Sequence, residues 1–387
     1  METQTETQNE LEGKRTIRTF AFASFLNDFG SDMVHSLWPM FLTQVLGVNM
    51  AVLGLIDGMG EALVSISQAV SGYWSDRIRN RKIFIWLGYL MGGTARLGYA
   101  VFRTWPAVLI FKILDRSGKM RDAPRDAMAA DVSNHGNRGK NFGIMEAMDH
   151  FGAVCGILAS IILIHYLSIR SIFLLSGIPT LFGALLIYVF IKEKKHEGKL
   201  FQGLKWRDLN FEFKWFLVLS SLFAVASFSY SFLMIFAKNS GFGIATIPVL
   251  YLIYMVTASA SSYPFGNLAD RIGRKAVILS GFILWGITVG TMIFSQTAEA
   301  IYVAFIFFGL SKGAVGAAQK TYVSELCPVD YRASAIGTFR MVTGLAALPA
   351  SLMAGILWES IGMFIPFYAS LALTVVASVM LIFVKKT

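Results

Sequence analysis

Long apolar stretches, broken by short polar connections, run through the whole chain. A helix of about 20 apolar residues crosses the ~30 Å hydrocarbon core of a bilayer. Counted at that length, the pattern predicts about twelve spans, over 17–44, 50–74, 82–102, 106–128, 140–165, 170–191, 214–237, 245–268, 276–295, 299–322, 334–357 and 362–384. A transmembrane barrel would instead need segments of about ten residues with alternating polarity. The expected fold class is therefore an all-α membrane protein of twelve transmembrane helices.

The connections alternate in charge. One set is poor in cations and holds Arg103, Arg170 and Lys238. The other holds Arg77, Arg79, Arg81 and Lys82, then Arg138 and Lys140, then Arg271, Arg274 and Lys275, then Arg332. The 192–214 segment adds Lys192, Lys194, Lys195, Lys199, Lys205, Arg207 and Lys214. Cationic loops stay in the cytoplasm. Both termini and 192–214 are therefore expected there, with the protein in the cytoplasmic (inner) membrane and the lipid bilayer as its surroundings. The composition agrees. Only 15% of residues are charged and 55% are hydrophobic, against about 25% charged in a soluble domain. The net charge of +10 follows from the loop bias, so nucleic acid is not expected as a partner. Cys155 and Cys327 form no disulfide framework or metal spacing. The opening METQTETQNELEG lacks the basic start and apolar run of a cleaved leader. Residues 1–16 read as a disordered cytoplasmic tail.

The chain repeats internally. Gly72-Tyr-Trp-Ser-Asp76-Arg77 matches Gly266-Asn-Leu-Ala-Asp270-Arg271 at an offset of 194 residues. The same offset carries Asp131 onto Glu325, Arg138 onto Arg332 and Gly143 onto Gly337. Two pseudo-symmetric six-helix halves are expected, 17–191 and 215–387, joined by a cytoplasmic linker at 192–214. Parallel repeats about an axis normal to the membrane are a known transporter plan.

These residues carry a resemblance. GYWSDRIRNRK and GNLADRIGRK resemble the loop signature of the major facilitator superfamily, which its members carry between helices 2 and 3 and between 8 and 9. Leu114-Asp-Arg-Ser-Gly-Lys-Met-Arg-Asp-Ala-Pro-Arg-Asp126 resembles a fourth-span pattern, DRxGKGxRxxPRDA, of a large bacterial subgroup. Asn27-Asp28, Ser31-Asp32-Met33 and Pro39 resemble its first span, with Asp where Glu is usual. Ala147-Met148-Asp149 and Gly152-Ala153-Val154 resemble its fifth. Two positions depart: Met120 stands where the pattern has a second glycine, and Glu146 where a basic residue is expected. The resemblance implies a secondary transporter working by alternating access, as a monomer and without a cofactor.

Ionisable side chains at membrane depth are costly and mark function by default. Asp28, Asp32 and His35 share one face of the first span, since residues three and four apart align on a helix. The second span carries Asp57 and Glu61, the fourth Asp115, Lys119, Asp122 and Asp126, and the fifth Glu146, Asp149 and His150. By depth, Asp28, Asp32, Glu61, Asp115, Lys119, Asp149 and His150 are expected near the midplane, as the proton-coupling or substrate group. Arg121, Arg125 and Glu146 fall nearer the cytoplasm. Five carboxylates against Lys119 and one histidine make an acidic excess, which favours proton coupling through Asp28, Asp32 or Asp149, with Asp32 the first candidate. The bland alternative is an ion-pair lattice such as Asp115–Lys119 and Asp149–His150. Asp28, Asp32 and His35 also suit a divalent metal, and Lys119 with Arg121 an organic anion. In the second half, Phe228, Tyr230, Tyr251, Tyr254 and Tyr263 suggest an aromatic wall or simple packing.

The repeated loops suggest a cytoplasmic gate. Gly72 and Gly266 permit close helix approach, Asp76 and Asp270 cap helix starts, and Arg77 and Arg271 are expected to pair with Asp131 and Glu325. Arg121, Arg125, Glu146 and Arg340 complete that mouth. Gly54/Gly58, Gly88/Gly92 and Gly152/Gly156 are spaced for close helix packing.

No enzyme motif survives. Gly309-Leu-Ser-Lys-Gly313 fits GxSxG only formally, inside an apolar helix. No HExxH or phosphate loop is present. The expected function is secondary active transport of a small polar or charged solute, proton-coupled. The alternatives are a divalent-metal or organic-anion facilitator without proton coupling, and a non-transporting receptor on the same fold. The topology is directly testable. A Lys199→Cys protein should react with a membrane-impermeant maleimide only after the cells are permeabilised, and labelling of intact cells would overturn a cytoplasmic linker.

Overall fold

The computed structural model describes residues 2–133, 137–193, 209–326 and 332–384, and within these every regular element is helical. The order begins with α1 (Glu2–His35), the short α2 (Trp38–Met40) and α3 (Met50–Ile78). Next come α4 (Arg81–Val101), α5 (Trp105–Ser117), α6 (Asp122–Asp131), α7 (Arg138–Leu163) and α8 (Ile169–Phe190). The rest are α9 (Phe211–Ala226), α10 (Tyr230–Asn239), α11 (Ile247–Ile272), α12 (Arg274–Phe294), α13 (Ala298–Glu325), α14 (Arg332–Ser360) and α15 (Ile365–Ile382). Among the described residues, eight helical stretches are long and apolar enough to cross a membrane: 50–75, 138–163, 169–190, 211–239, 274–294, 298–325, 335–360 and 365–382. The helices α1, α4, α5, α6 and α11 fall outside that set.

Two expectations change at the N-terminus. Residues 2–16 continue α1 as helix instead of forming a disordered tail. Glu and Gln favour helix, and acidic side chains at a helix start meet the positive end of its dipole. At its other end α1 stops at His35, short of the expected position 44, and a π-helical turn over Phe41–Val45 follows Pro39. Most of the 192–214 linker, residues 194–208, lies outside the described residues.

The chain divides into two compact units, Met1–Leu37 with Ile66–Phe201, and Trp38–Ser65 with Gln202–Thr387. The division differs from a simple break at the linker, because Trp38–Ser65 groups with the second unit. Glycines explain it. A Cβ on Gly58 of α3 would stand 2.8 Å from the Leu348 backbone of α14, and Gly54 and Gly355 make similarly close approaches. Such contacts are what small residues provide where no hydrophobic force separates helix from lipid.

In the first unit, Gly152 and Gly156 of α7 lie against the backbone of Phe25 and Phe29 of α1. Around this seam Phe20, Ala23, Ile85, Tyr89, Ala129 and Ile187 are fully buried. The opposite faces of α7 and α8 expose Leu158, Ile162, Ile178, Phe182, Leu185 and Val189. Apolar side chains on the outside with backbone bonds satisfied within each helix are what a lipid environment selects.

Two spans are interrupted. A 3-10 turn over Gly118–Arg121 separates α5 from α6. Pro124 cannot donate to the carbonyl four residues earlier, which favours a break there. Ser227–Ser229 separates α9 from α10. The groups freed at that break are satisfied by Ser370 Oγ donating to Ala226 O at 2.6 Å and by Ser229 N donating to Ser351 Oγ at 3.3 Å.

Gly156→Ala should lower the melting temperature in detergent, because its Cβ has no room against Phe29 and overpacking costs about 1–3 kcal/mol. Gly316→Ala, which meets nothing within 4 Å, serves as the comparison and should leave stability unchanged or slightly raised.

Candidate functional site

The first unit has a charged interior. Arg96 of α4 is 2% exposed. Its guanidinium donates to Asn27 O at 3.1 Å, to Asn27 Oδ1 at 3.2 Å and to Thr180 Oγ1. Asn27 in turn donates to Asp28 Oδ1 at 2.7 Å. Arg96 thereby fixes α1 to α4 and α8 and orients the first carboxylate. One turn on, His35 Nδ1 lies 3.7 Å from Asp32 Oδ1, and its Nε2 meets Arg116 of α5. Arg116 also faces Asp115 Oδ2 at 3.7 Å. Lys112, one turn earlier on α5, is 3% exposed.

Beyond the 3-10 turn a second network begins. The Arg121 guanidinium stacks on Tyr89 at 4.9 Å, donates to Gly118 O at 3.1 Å and faces Asp122 Oδ1 at 3.6 Å. Gln68 of α3 donates to Asp122 Oδ2 at 2.9 Å. Arg125 meets Ser24 Oγ, reaches Asp149 Oδ2 at 3.5 Å and Asp126 Oδ1 at 3.2 Å. Ser24 and Tyr89 share a hydrogen bond of 3.1 Å. The other oxygen of Asp149, Oδ1, is buried with no hydrogen-bond partner among the described residues.

This geometry corrects the reading from the sequence. The acidic excess disappears, because Arg96, Lys112 and Arg116 join the same interior as Lys119, Arg121 and Arg125. Arg96 and Lys112 were missed because one cation in a long apolar run reads as a loop or a snorkelling residue. Their lattice is real: Asp115 faces Arg116 and Asp149 faces Arg125. His150 and Glu146 are exposed. Asp28, Asp32 and His35 do not form a metal cage, and among the described residues no group of three or more His, Cys, Asp or Glu side chains is arranged for one.

The loop contacts also differ from those expected. Asp131 pairs with Arg81, and Glu325 with Arg274 at 3.2 Å, whereas Arg77 contacts its neighbour Tyr73 at 3.3 Å. Arg274 also pairs with Asp270. Arg271 and Arg340 are exposed, Gly266 faces open space, and Gly72 would place a Cβ 3.6 Å from Ala123. The Asp76 side chain lies outside the described residues. The second loop copy is one residue shorter, so Arg81 corresponds to Arg274 and Lys82 to Lys275. The contacts then recur. Lys82 Nζ donates to Tyr188 O at 2.8 Å, and Lys275 Nζ to Ile382 O at 2.6 Å, each closing the end of its unit's last helix. The turn recurs as well, with positive φ at Arg79 (56°) and Gly273 (96°), which the offset of 194 superimposes.

The second unit is aromatic where the first is charged. Tyr230, Tyr251, Tyr254 and Phe308 form a chain of rings with centroids 5.2, 5.6 and 4.3 Å apart. Phe228 packs edge-on to Trp285 and Phe367, whereas Tyr263 is 77% exposed and outside this wall. Lys312 lies over the Phe308 and Trp285 rings at 5.5 and 5.9 Å and donates to Ser227 Oγ at 3.0 Å in the α9–α10 break. Glu61 is exposed, and its charge bears on Lys312. Asp57, 7% exposed, accepts from Trp38 Nε1 at 2.8 Å and from Ser229 Oγ at 2.6 Å.

The chain matches the family model described as Major Facilitator Superfamily over residues 20–251 and 214–387. It is 34% identical over 392 residues to an uncharacterized MFS-type transporter of Methanocaldococcus jannaschii, covering 98% of both chains. Its fold is similar to a crystal structure of a nucleoside transporter, with a TM-score of 0.82 at 14% identity over 96% of this chain and 100% of that one. It is also similar to a D-xylose–proton symporter, with a TM-score of 0.76 at 15% identity over 95% and 96%.

Reversing one charge tests the loop pair. Arg81→Glu places like charges together and should lower the melting temperature, by the equivalent of about 1 kcal/mol for a partly exposed pair. The double variant Arg81→Glu/Asp131→Arg should recover most of the loss.

Proposed function

The chain belongs to the major facilitator superfamily, a family of transporters rather than enzymes, and from that premise we propose that it is a proton-coupled secondary active transporter of a small polar or charged solute. Alternating access would operate between two pseudo-symmetric six-helix halves, 17–191 and 215–387. The proposed molecule is a monomer of twelve spans in the cytoplasmic membrane, with both termini and the linker inside. It belongs on this reading to the bacterial subgroup with the DRxGKGxRxxPRDA-like fourth span.

The observation that carries proton coupling is Asp149. One oxygen faces Arg125 at 3.5 Å, and the other is buried with no hydrogen-bond partner among the described residues. A buried oxygen lacking a donor is where an added proton relieves an unfavourable environment. Protonation would weaken the hold on Arg125, and deprotonation would restore it. The group thus links a proton to the position of a cation on α6. Asp32 is displaced as the first candidate, because it belongs to the His35–Arg116–Asp115 lattice.

A second reading, organic-anion transport without proton coupling, is favoured by the buried cations Arg96, Lys112 and Arg116. The divalent-metal alternative has no comparable support, since Asp28 faces Asn27 and His35 faces Arg116. A receptor role would be excluded by net solute flux through reconstituted protein.

The test begins with a thermal-stabilisation screen of organic anions, sugars, nucleosides, cationic drugs and divalent metals, because a ligand stabilises the state it binds. With that solute in proteoliposomes, Asp149→Asn should abolish accumulation driven by a pH gradient and preserve solute exchange, which moves no net proton. Full proton-driven uptake by Asp149→Asn would remove Asp149 from the mechanism. Loss of both activities with intact folding would favour a substrate-binding role.

A further inference from the structure

The first unit carries a surface feature outside the charged interior described above. On α1, Lys14, Arg18 and Phe22 follow one another at four-residue steps, so they form a stripe that passes from charge to an aromatic ring. On α8, Phe182, Leu186 and Phe190 form a matching stripe. The two helices pack together, and a groove of about 420 Å³ lies along the seam, lined by Lys14, Arg15, Arg18 and Thr19 at one end and by Phe22, Leu186 and Phe190 at the other. Among the described residues no acidic side chain lines it.

The groove sits at a defined depth. Phe190 is the last residue of the apolar stretch 169–190, so the cations of α1 stand at the level where hydrocarbon gives way to headgroups. Arg15 is held there, its guanidinium 5.1 Å from the centroid of the Phe190 ring. Trp86 and Tyr188, with ring centroids 5.5 Å apart, and Lys82 over Tyr188 at 5.3 Å mark the same boundary. Trp and Tyr concentrate at that interface. Phe22 and Phe190 remain 45% and 40% exposed, which leaves apolar surface for a chain to lie on.

We propose that this groove between α1 and α8 is a binding site for an anionic phospholipid, with the headgroup phosphate held by Lys14, Arg15 and Arg18 and an acyl chain lying along Phe22 and Leu186. Charge complementarity and depth select this occupant. Three cations at the headgroup level call for a phosphate anion, and an apolar strip on the membrane side calls for a hydrocarbon tail. Basic pockets between transmembrane helices hold anionic headgroups in this way.

The experiment uses the full-length protein in detergent, with phosphatidylglycerol or phosphatidylcholine added, and native mass spectrometry to count retained lipid. The wild type should retain phosphatidylglycerol about tenfold or more over phosphatidylcholine. Lys14→Gln/Arg15→Gln/Arg18→Gln should lose that preference, since each cation near a headgroup is worth roughly fivefold in affinity. The comparison triple Arg79→Gln/Arg138→Gln/Lys140→Gln removes the same charge elsewhere and should keep it. If the first triple does not fold, Arg18→Gln alone should lower retention about fivefold. Undiminished retention by these α1 variants would overturn the proposal, as would equal loss in the comparison triple. Inorganic phosphate at millimolar concentration should not displace phosphatidylglycerol, and full displacement would reassign the groove to a free anion.

Discussion

A charge inside a membrane protein survives only with a partner, and the first unit is organised around that constraint. Desolvating a guanidinium or a carboxylate costs several kcal/mol unless an opposite charge and hydrogen bonds replace the lost water. Arg96 is therefore enclosed by Asn27 and Thr180, Arg116 by His35 and Asp115, and Arg125 by Ser24, Asp126 and Asp149. The same contacts join α1 to α4, α5 and α6, α4 to α8, and α6 to α7. Removing one member would strand its partner, so the lattice acts as a unit. At Asp149 one carboxylate oxygen is left buried with no hydrogen-bond partner among the described residues.

The repeat imposes a second constraint. Each unit carries the same loop, and each uses the later arginine to reach an acid at the end of a distant helix while the adjacent lysine closes the unit's last helix. These pairs are partly exposed, and surface ion pairs contribute little to stability. Their recurrence in both units is better explained by positioning of helix ends. Arg79 supports this, for it adopts the positive φ that its counterpart Gly273 takes without steric cost. A backbone strained in one copy and relaxed in the other indicates a turn retained for its geometry.

Much of this was legible in the sequence. Apolar run length and the duplicated loop are strong signals, and the family membership follows from them. Charge partners were not legible. The spacing of Asp115 and Lys119 assumed an unbroken helix, and the 3-10 turn at Gly118–Arg121 redirects the residues that follow it. Asp149 and His150 are neighbours in sequence, but consecutive residues on a helix point about 100° apart, and Asp149 turns to Arg125 while His150 is exposed. Lys112 and Arg96 were hidden by apolar surroundings that made them look incidental. In each case the missing information was which helices pack together, and local spacing does not contain it.

The two interrupted spans show how the fold turns a cost into a site. A break in a membrane helix frees backbone groups that lipid cannot satisfy. In the first unit the carbonyl of Gly118 is taken by Arg121, whose guanidinium is steadied by the Tyr89 ring and by Asp122. In the second, the Ala226 carbonyl is taken by Ser370, and Ser227 in the break accepts from Lys312, whose ammonium rests over Phe308 and Trp285. Both breaks therefore hold a cation between an oxygen and an aromatic face. An aromatic ring attracts the charge without neutralising it, so neither cation depends on a carboxylate alone.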